Sequence, residues 1–110
     1  MSTSLNVKTY LLFGIEGDEI HVARVRLERA LGVKMDLHES GYRCGEYYRQ
    51  GDVGGEHFIL QKNFDDVEEE WTEPACRECG LLFYANETDR AELLRSALAG
   101  VARLISSQEA

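Results

Sequence analysis

The sequence predicts an α+β protein. It reads as a two-layer sandwich in which two helices cover one face of a four-stranded mixed sheet, in the order β-α-β-β-β-α. Three observations predict this. Strand-like alternation or short apolar runs occur at four places, helical apolar stripes occur at two, and a helix separates the first strand from the second. A strand–helix–strand crossover implies two parallel strands, and its right-handed sense puts the helix on one side of the sheet. With 110 residues, the chain is expected to form one domain over residues 1–110 and to bury a core without staples.

The first strand is Val7 to Ile15. Val7, Thr9, Leu11, Phe13 and Ile15 share one face, and Lys8, Tyr10, Leu12 and Gly14 share the other. Both faces carry apolar residues, which suits a central strand. Gly17-Asp18 ends it and offers an N-cap. Glu19 to Leu31 carries Ile20, Ala23, Leu27, Ala30 and Leu31 at helical spacing, with Gly32 where a left-handed C-terminal residue is expected. Val33 to His38 alternates, with Val33, Met35 and Leu37 inward.

Glu39 to Glu56 is a long glycine-rich connection, and its Glu46 to Arg49 portion can extend a hairpin. His57 to Phe64 is the third strand, Asp65 to Gly80 the second long connection, and Leu81 to Ala85 the fourth strand. Asn86 is expected to cap a second helix, with the stripe Ala91, Leu94, Leu98, Val101 and Ile105. The tail Ser106 to Ala110 is expected to fray. With both helices on one face, the other face would expose Tyr10, Leu12, Ile59 and either Leu82 or Tyr84. Such a face permits a monomer or a homodimer.

Twenty acidic side chains against 12 basic ones give a formal charge of −8. That disfavours nucleic acid and anionic membrane surfaces as partners and favours a basic protein. The N-terminus lacks the pattern of a signal peptide, and the longest apolar run, Tyr10 to Phe13, is far too short to span a bilayer. Three cysteines, an odd number, argue for reduced thiols. A cytoplasmic protein is the expectation.

Four constellations are candidates for function. The first is Asp65, Asp66, Glu68, Glu69, Glu70 and Glu73 around Trp71, with no lysine or arginine among them. It reads as a patch that fills a basic groove on a partner, with Trp71 as anchor, or as a solvated loop that aids solubility. The second is Tyr42, Tyr47 and Tyr48 among glycines and arginines. It reads either as a recognition surface or as a hairpin with cross-strand aromatic pairs. The third is His38, Glu39 and His57, residue types suited to general acid–base work in a small cytosolic enzyme. The fourth is Cys76-Arg77-Glu78-Cys79. With Cys44 it offers three thiols to zinc in an adaptor, but a lone CxxC lacks the second pair that structural zinc sites carry. A redox role is weaker, since a redox CxxC normally opens a helix after a strand. No GxSxG, Walker or GxGxxG motif is present, so no catalytic residue, cofactor or metal is assigned.

The segments Gly55-Glu56-His57-Phe58-Ile59-Leu60-Gln61-Lys62-Asn63-Phe64-Asp65-Asp66 and Gly45-Glu46-Tyr47-Tyr48-Arg49, in a small, acidic α+β chain, resemble the bacterial immunity proteins of contact-dependent inhibition and related polymorphic-toxin systems. The resemblance implies stoichiometric binding to a cognate toxin, often a nuclease with a basic cleft. It transfers no individual site residue.

Overall fold

The computed structural model describes residues 7–109. In chain order they form β1 (Thr9–Ile15), α1 (Ile20–Leu31), β2 (Asp36–Ser40), β3 (Gly45–Gln50), β4 (His57–Lys62), β5 (Phe64–Asp65), β6 (Glu70–Trp71), β7 (Leu81–Thr88), α2 (Ala91–Ala97) and β8 (Arg103–Glu109). Among the described residues, six strands make one sheet in the order β2-β3-β4-β7-β1-β8, and β5 and β6 pair separately. Every neighbouring pair in the sheet is antiparallel. The α+β class holds, but the sheet has six strands where four were expected, and it is antiparallel where a mixed sheet was expected.

The crossover logic explains the difference. β1 and β2 do run in the same direction, as a helical connection requires, but β3, β4 and β7 lie between them. β7 and β8 run in the same direction on either side of β1. The chain is therefore two interleaved split β-α-β units with an extra hairpin strand pair between them. β1 is paired on both edges and covered on both faces, which is why both of its faces are apolar.

The second helix is much shorter than its stripe suggested. β7 continues through Asn86 to Thr88, so Asn86 lies in a strand and caps nothing. α2 stops at Ala97, and a turn closes with the Val101 and Ala102 amides donating to the Leu98 carbonyl at 2.9 and 3.0 Å. Ile105 and Ser106 to Glu109, expected as helix end and fraying tail, belong to β8. Leu94, Leu98 and Val101 satisfy the helical spacing, but the Arg103 to Glu109 segment finds its hydrogen bonds on the free edge of β1. Ala110 and the first six residues lie outside the described residues.

α1 ends as expected. Gly32 is left-handed at φ 68°, and its amide donates to the Glu28 carbonyl at 2.8 Å. Its start is uncapped by any side chain, so Asp18 does not play the expected role. Both helices cover one sheet face. Ile20, Ala23 and Leu27 from α1 and Leu94 and Leu98 join Leu11, Phe13, Phe58, Leu60 and Phe83 in one core. Phe83 sits between Phe13 and Phe58, with ring centroids 6.2 and 5.6 Å away.

The opposite face is not open. Leu12, Ile59 and Leu82 are buried, and only Tyr10 and, in part, Tyr84 reach solvent. Two excursions roof it. From the turn after β2, Arg43 lies over the Tyr84 ring at 5.7 Å and donates to Gln61 Oε1 at 3.0 Å. From the connection after β6, Cys79 packs on Gly14, where an added Cβ would lie 2.5 Å from the Cys79 sulfur. The face expected as a dimer surface is thus largely consumed within the chain.

Gly80 is the tightest point of this roof. A Cβ there would overlap the backbone carbonyl of Gly17, a neighbour that cannot rotate away. Gly80→Ala is therefore expected to cost about 2–3 kcal/mol, the upper part of the range for forced backbone shifts in packed regions. Urea denaturation checks it, and an unchanged midpoint would mean that the β1–α1 turn yields freely. No helix among the described residues is long and apolar enough to cross a membrane.

Candidate functional site

The acidic run is mounted on a single buried asparagine. The chain leaves the main sheet at Asn63 and returns at Gly80, whose carbonyl accepts the Asn63 amide at 2.9 Å. The Asn63 side chain is fully buried. Its Nδ2 donates to the carbonyls of Glu73, Cys76 and Cys79 at 3.3, 3.2 and 2.9 Å, and its Oδ1 accepts the Glu73 amide at 2.7 Å. The Asn63 carbonyl accepts the Thr72 amide at 2.8 Å. A carboxamide presents donors and an acceptor side by side without charge, which this crossing of three backbone stretches needs. Sequence reasoning missed Asn63. A lone asparagine at a strand end gives no signal until its partners are known.

On this base stands the β5–β6 hairpin. Phe64 and Trp71 meet edge-on at 5.0 Å, and the Arg77 guanidinium lies 5.8 Å from the Trp71 ring centre. Asp65 Oδ1 accepts the amides of Val67 and Glu68 at 2.9 and 3.2 Å, which shapes the turn. Glu69 takes the left-handed conformation, φ 56°, that favours glycine.

The expected contact set therefore divides. The Asp65 carboxylate shapes the hairpin turn, Glu73 is tied to Asn63 through its backbone alone, and Trp71, half-buried, braces the hairpin. Asp66, Glu68, Glu69 and Glu70 are exposed, around a Val67 that is 87% exposed. None of these four carboxylates is within ion-pair range of a basic side chain among the described residues. The hairpin also walls an open groove of about 590 Å³ whose lining includes Asp18, Lys62, Phe64, Trp71 and Arg77.

The three tyrosines do not form one patch. Tyr47 and Tyr48 are neighbours in β3 and so point to opposite faces. Tyr48 is buried in the core, hydrogen-bonded to His21 Nδ1, with Arg24 5.2 Å from its ring centre. Tyr47 stacks on His38 at 5.4 Å, its cross-strand partner. Tyr42 is 87% exposed, with the Arg43 guanidinium 5.4 Å from its ring centre. The cross-strand pairing weighed for this segment is what β2 and β3 contain.

The histidine–carboxylate grouping is not assembled. His38 is exposed on the edge strand β2, whereas His57 is buried on β4, two strands away and four residues along, roughly 16 Å by strand geometry. His57 Nδ1 lies 2.9 Å from the Gly55 carbonyl and 3.6 Å from Glu87, and its Nε2 lies 3.3 Å from the Asn86 amide nitrogen. The hollow beside it holds about 110 Å³, well below the usual size of a substrate pocket.

Cys76 and Cys79 are buried with their sulfurs 2.7 Å apart, while Cys44 is partly exposed and contacts Thr72 Oγ1 at 3.7 Å. Among the described residues, no three His, Cys, Asp or Glu side chains are placed to hold a metal ion. Burial, followed by the hydrogen bond with Cys76, pushes the Cys79 thiol up to about 11.

Two carboxylates outside the hairpin are held by the fold at the far end of β4 and of α1. Glu28 Oε2 accepts the Met35 amide at 2.8 Å, and this hydrogen bond together with Arg24 holds its carboxyl below the unperturbed 4.5. Glu56 is clamped by Arg90 through two hydrogen bonds of 2.8 and 2.7 Å and by the Thr88 hydroxyl at 2.6 Å. The Arg90 contacts hold its carboxyl below 4.5 as well. Folding therefore strengthens both acids. Their stabilisation is complete above the unfolded value of 4.5 and is lost as pH falls through the lower folded values. Thermal melts should show stability falling below pH 4.5, and Glu56→Gln, less stable at neutral pH, should flatten that slope. An unchanged slope in the variant would remove Glu56 from the acid response.

Set against protein-family models, curated proteins and solved structures, the chain matches none.

Proposed function

We propose that this chain is an immunity protein. It binds a cognate bacterial toxin with a basic active-site cleft, of which a nuclease is the natural example, and blocks it stoichiometrically. One observation carries the reading: Asp66, Glu68, Glu69 and Glu70 project from a braced hairpin with no ion-pair partner among the described residues. Four like charges on one small hairpin repel one another, and a fold gains nothing from holding them there. A basic cleft relieves that repulsion on binding and releases its own counterions.

Two further features fit. A glutamate is kept at the left-handed position 69, where glycine would be less strained, so a carboxylate is held at a conformational cost. The hairpin is fixed through Asn63 and the Phe64–Trp71 contact, so little of its order must be created on binding. Tyr42 and Val67, both 87% exposed, are the apolar contacts nearest this reading.

The test begins with tagged full-length chain in lysate of the cells that make it, washed at low and high salt. A basic protein retained near one-to-one and loosened by salt is the expected partner. Expressed alone, that partner should arrest growth, and co-expression of this chain should restore it. A captured protein that is harmless on its own, or the absence of any salt-sensitive partner, would sink the reading.

A further inference from the structure

The CxxC has no part in the proposed binding, yet its geometry is specific. Cys76 lies in a single 3-10 turn, Pro74–Cys76, and the Cys79 amide donates to the Cys76 carbonyl at 3.0 Å. This turn folds the two side chains together, with the sulfurs 2.7 Å apart. That is nearer to the bonded separation of about 2.05 Å than unbonded sulfurs normally come. The sequence argued against a redox pair because no helix follows it. The 3-10 turn supplies the approach that a helix start usually provides.

The surroundings give the pair a route to solvent. An open cleft of about 340 Å³ is lined by Gly14, Arg26, Cys79, Gly100, Ala102 and Arg103. Arg103 forms part of its wall, is half-exposed, and donates from Nη2 to Cys76 Sγ and, at 2.8 Å, to Glu78 Oε2. Cys79 Sγ lies 3.6 Å from the same nitrogen. A guanidinium within reach of both sulfurs is the electropositive setting in which cysteines react. Cys44, in contrast, faces Gln61 and Thr72, and no cation among the described residues is in hydrogen-bond reach of it.

We infer that Cys76 and Cys79 form a reversible thiol–disulfide site, oxidised by hydrogen peroxide that enters through the Arg103 cleft. The Cys76 sulfur attacks one peroxide oxygen, the O–O bond breaks, and Cys76 becomes a sulfenic acid as water leaves. The Cys79 sulfur then attacks the Cys76 sulfur, the S–OH bond breaks, and a second water leaves. Two thiols and one hydrogen peroxide give one disulfide and two waters. Arg103 Nη2 lies nearer to the Cys76 sulfur than to the Cys79 sulfur, which makes Cys76 the first nucleophile. The disulfide would close the turn whose Cys76 and Cys79 carbonyls Asn63 holds, so oxidation acts on the base of the hairpin. The inference stands whether or not the hairpin meets a toxin.

The experiment treats the full chain with stoichiometric hydrogen peroxide, then labels with a maleimide and maps peptides by mass spectrometry. The unoxidised chain, with three free thiols, takes three labels once unfolded. After peroxide it should take one, at Cys44, with the Cys76–Cys79 peptide lighter by two hydrogens and restored by dithiothreitol. Cys76→Ser should give no intramolecular disulfide. Arg103→Gln should slow the loss of label, and an undiminished rate would remove Arg103 from the step. Sulfinic acid at either cysteine, a first disulfide that includes Cys44, or three labels retained would overturn the site.

Discussion

Reversing Glu68, Glu69 and Glu70 to lysine is expected to slow association with the toxin by about 100-fold at low salt, the scale on which charge steering acts. The dissociation rate should change less, because these side chains are solvent-exposed and act mainly on encounter. The gap between variant and parent should narrow as salt rises toward about 1 M, where screening confines electrostatics to roughly 3 Å. Net charge alone also steers, so a matched control is needed. Glu16, Glu39 and Glu109 are equally exposed and lie outside the hairpin. Reversing those three makes the same change in net charge and should cost only a few-fold. Stopped-flow association of both variants decides between them. Equal losses would mean that the hairpin has no special place, and that the acidity of the whole surface does the steering.

The second large effect concerns Asn63. Asn63→Leu keeps the number and branching of side-chain atoms but is bulkier. It strands the Cys79 carbonyl and the Glu73 amide and leaves the Glu73 and Cys76 carbonyls with only their backbone donors, the Cys76 and Cys79 amides. Buried groups left unpaired cost about 1–3 kcal/mol each, but this segment can open and rehydrate some of them. A loss of about 3–5 kcal/mol is expected, equivalent to at least ~12 °C in Tm for a chain of this size. Hydrogen exchange should locate it. Amides between residues 64 and 80 should lose protection first, while β1, β4 and β7 keep theirs. Asn63→Asp separates shape from hydrogen bonding: it still accepts the Glu73 amide but sets a carboxylate against three carbonyls, and it should fare no better than leucine. A Tm within a few degrees of the parent for both variants would refute the role of Asn63 as the anchor of this connection.

These two predictions also mark where sequence and structure part. β1 was legible as a central strand because it is apolar on both faces, and α1 because its stripe ends at Gly32. The acidic run was legible by charge alone. Its division into holders and projectors was not. Asp65 and Asp66 are adjacent and chemically alike, and only the turn makes one a cap and the other an exposed charge. Tyr47 and Tyr48 are neighbours in sequence, but strand pleating sends them to opposite faces. The Arg103 to Glu109 segment reads in sequence as helix end and tail, since its hydrogen-bonding partner, the free edge of β1, lies far away in the chain.

By itself the sequence determined the α+β class, the two helices on one face, and an acid-rich segment set between two apolar strands. Those are local properties, carried by side-chain periodicity and charge. The tertiary structure alone decided the six-stranded antiparallel order, the roof over the second sheet face, the Asn63 anchor and the meeting of Cys76 with Cys79 under Arg103. Each of these depends on backbone groups or side chains brought together from distant or folded-back stretches, and a buried hydrogen bond leaves no periodic trace in the chain that makes it.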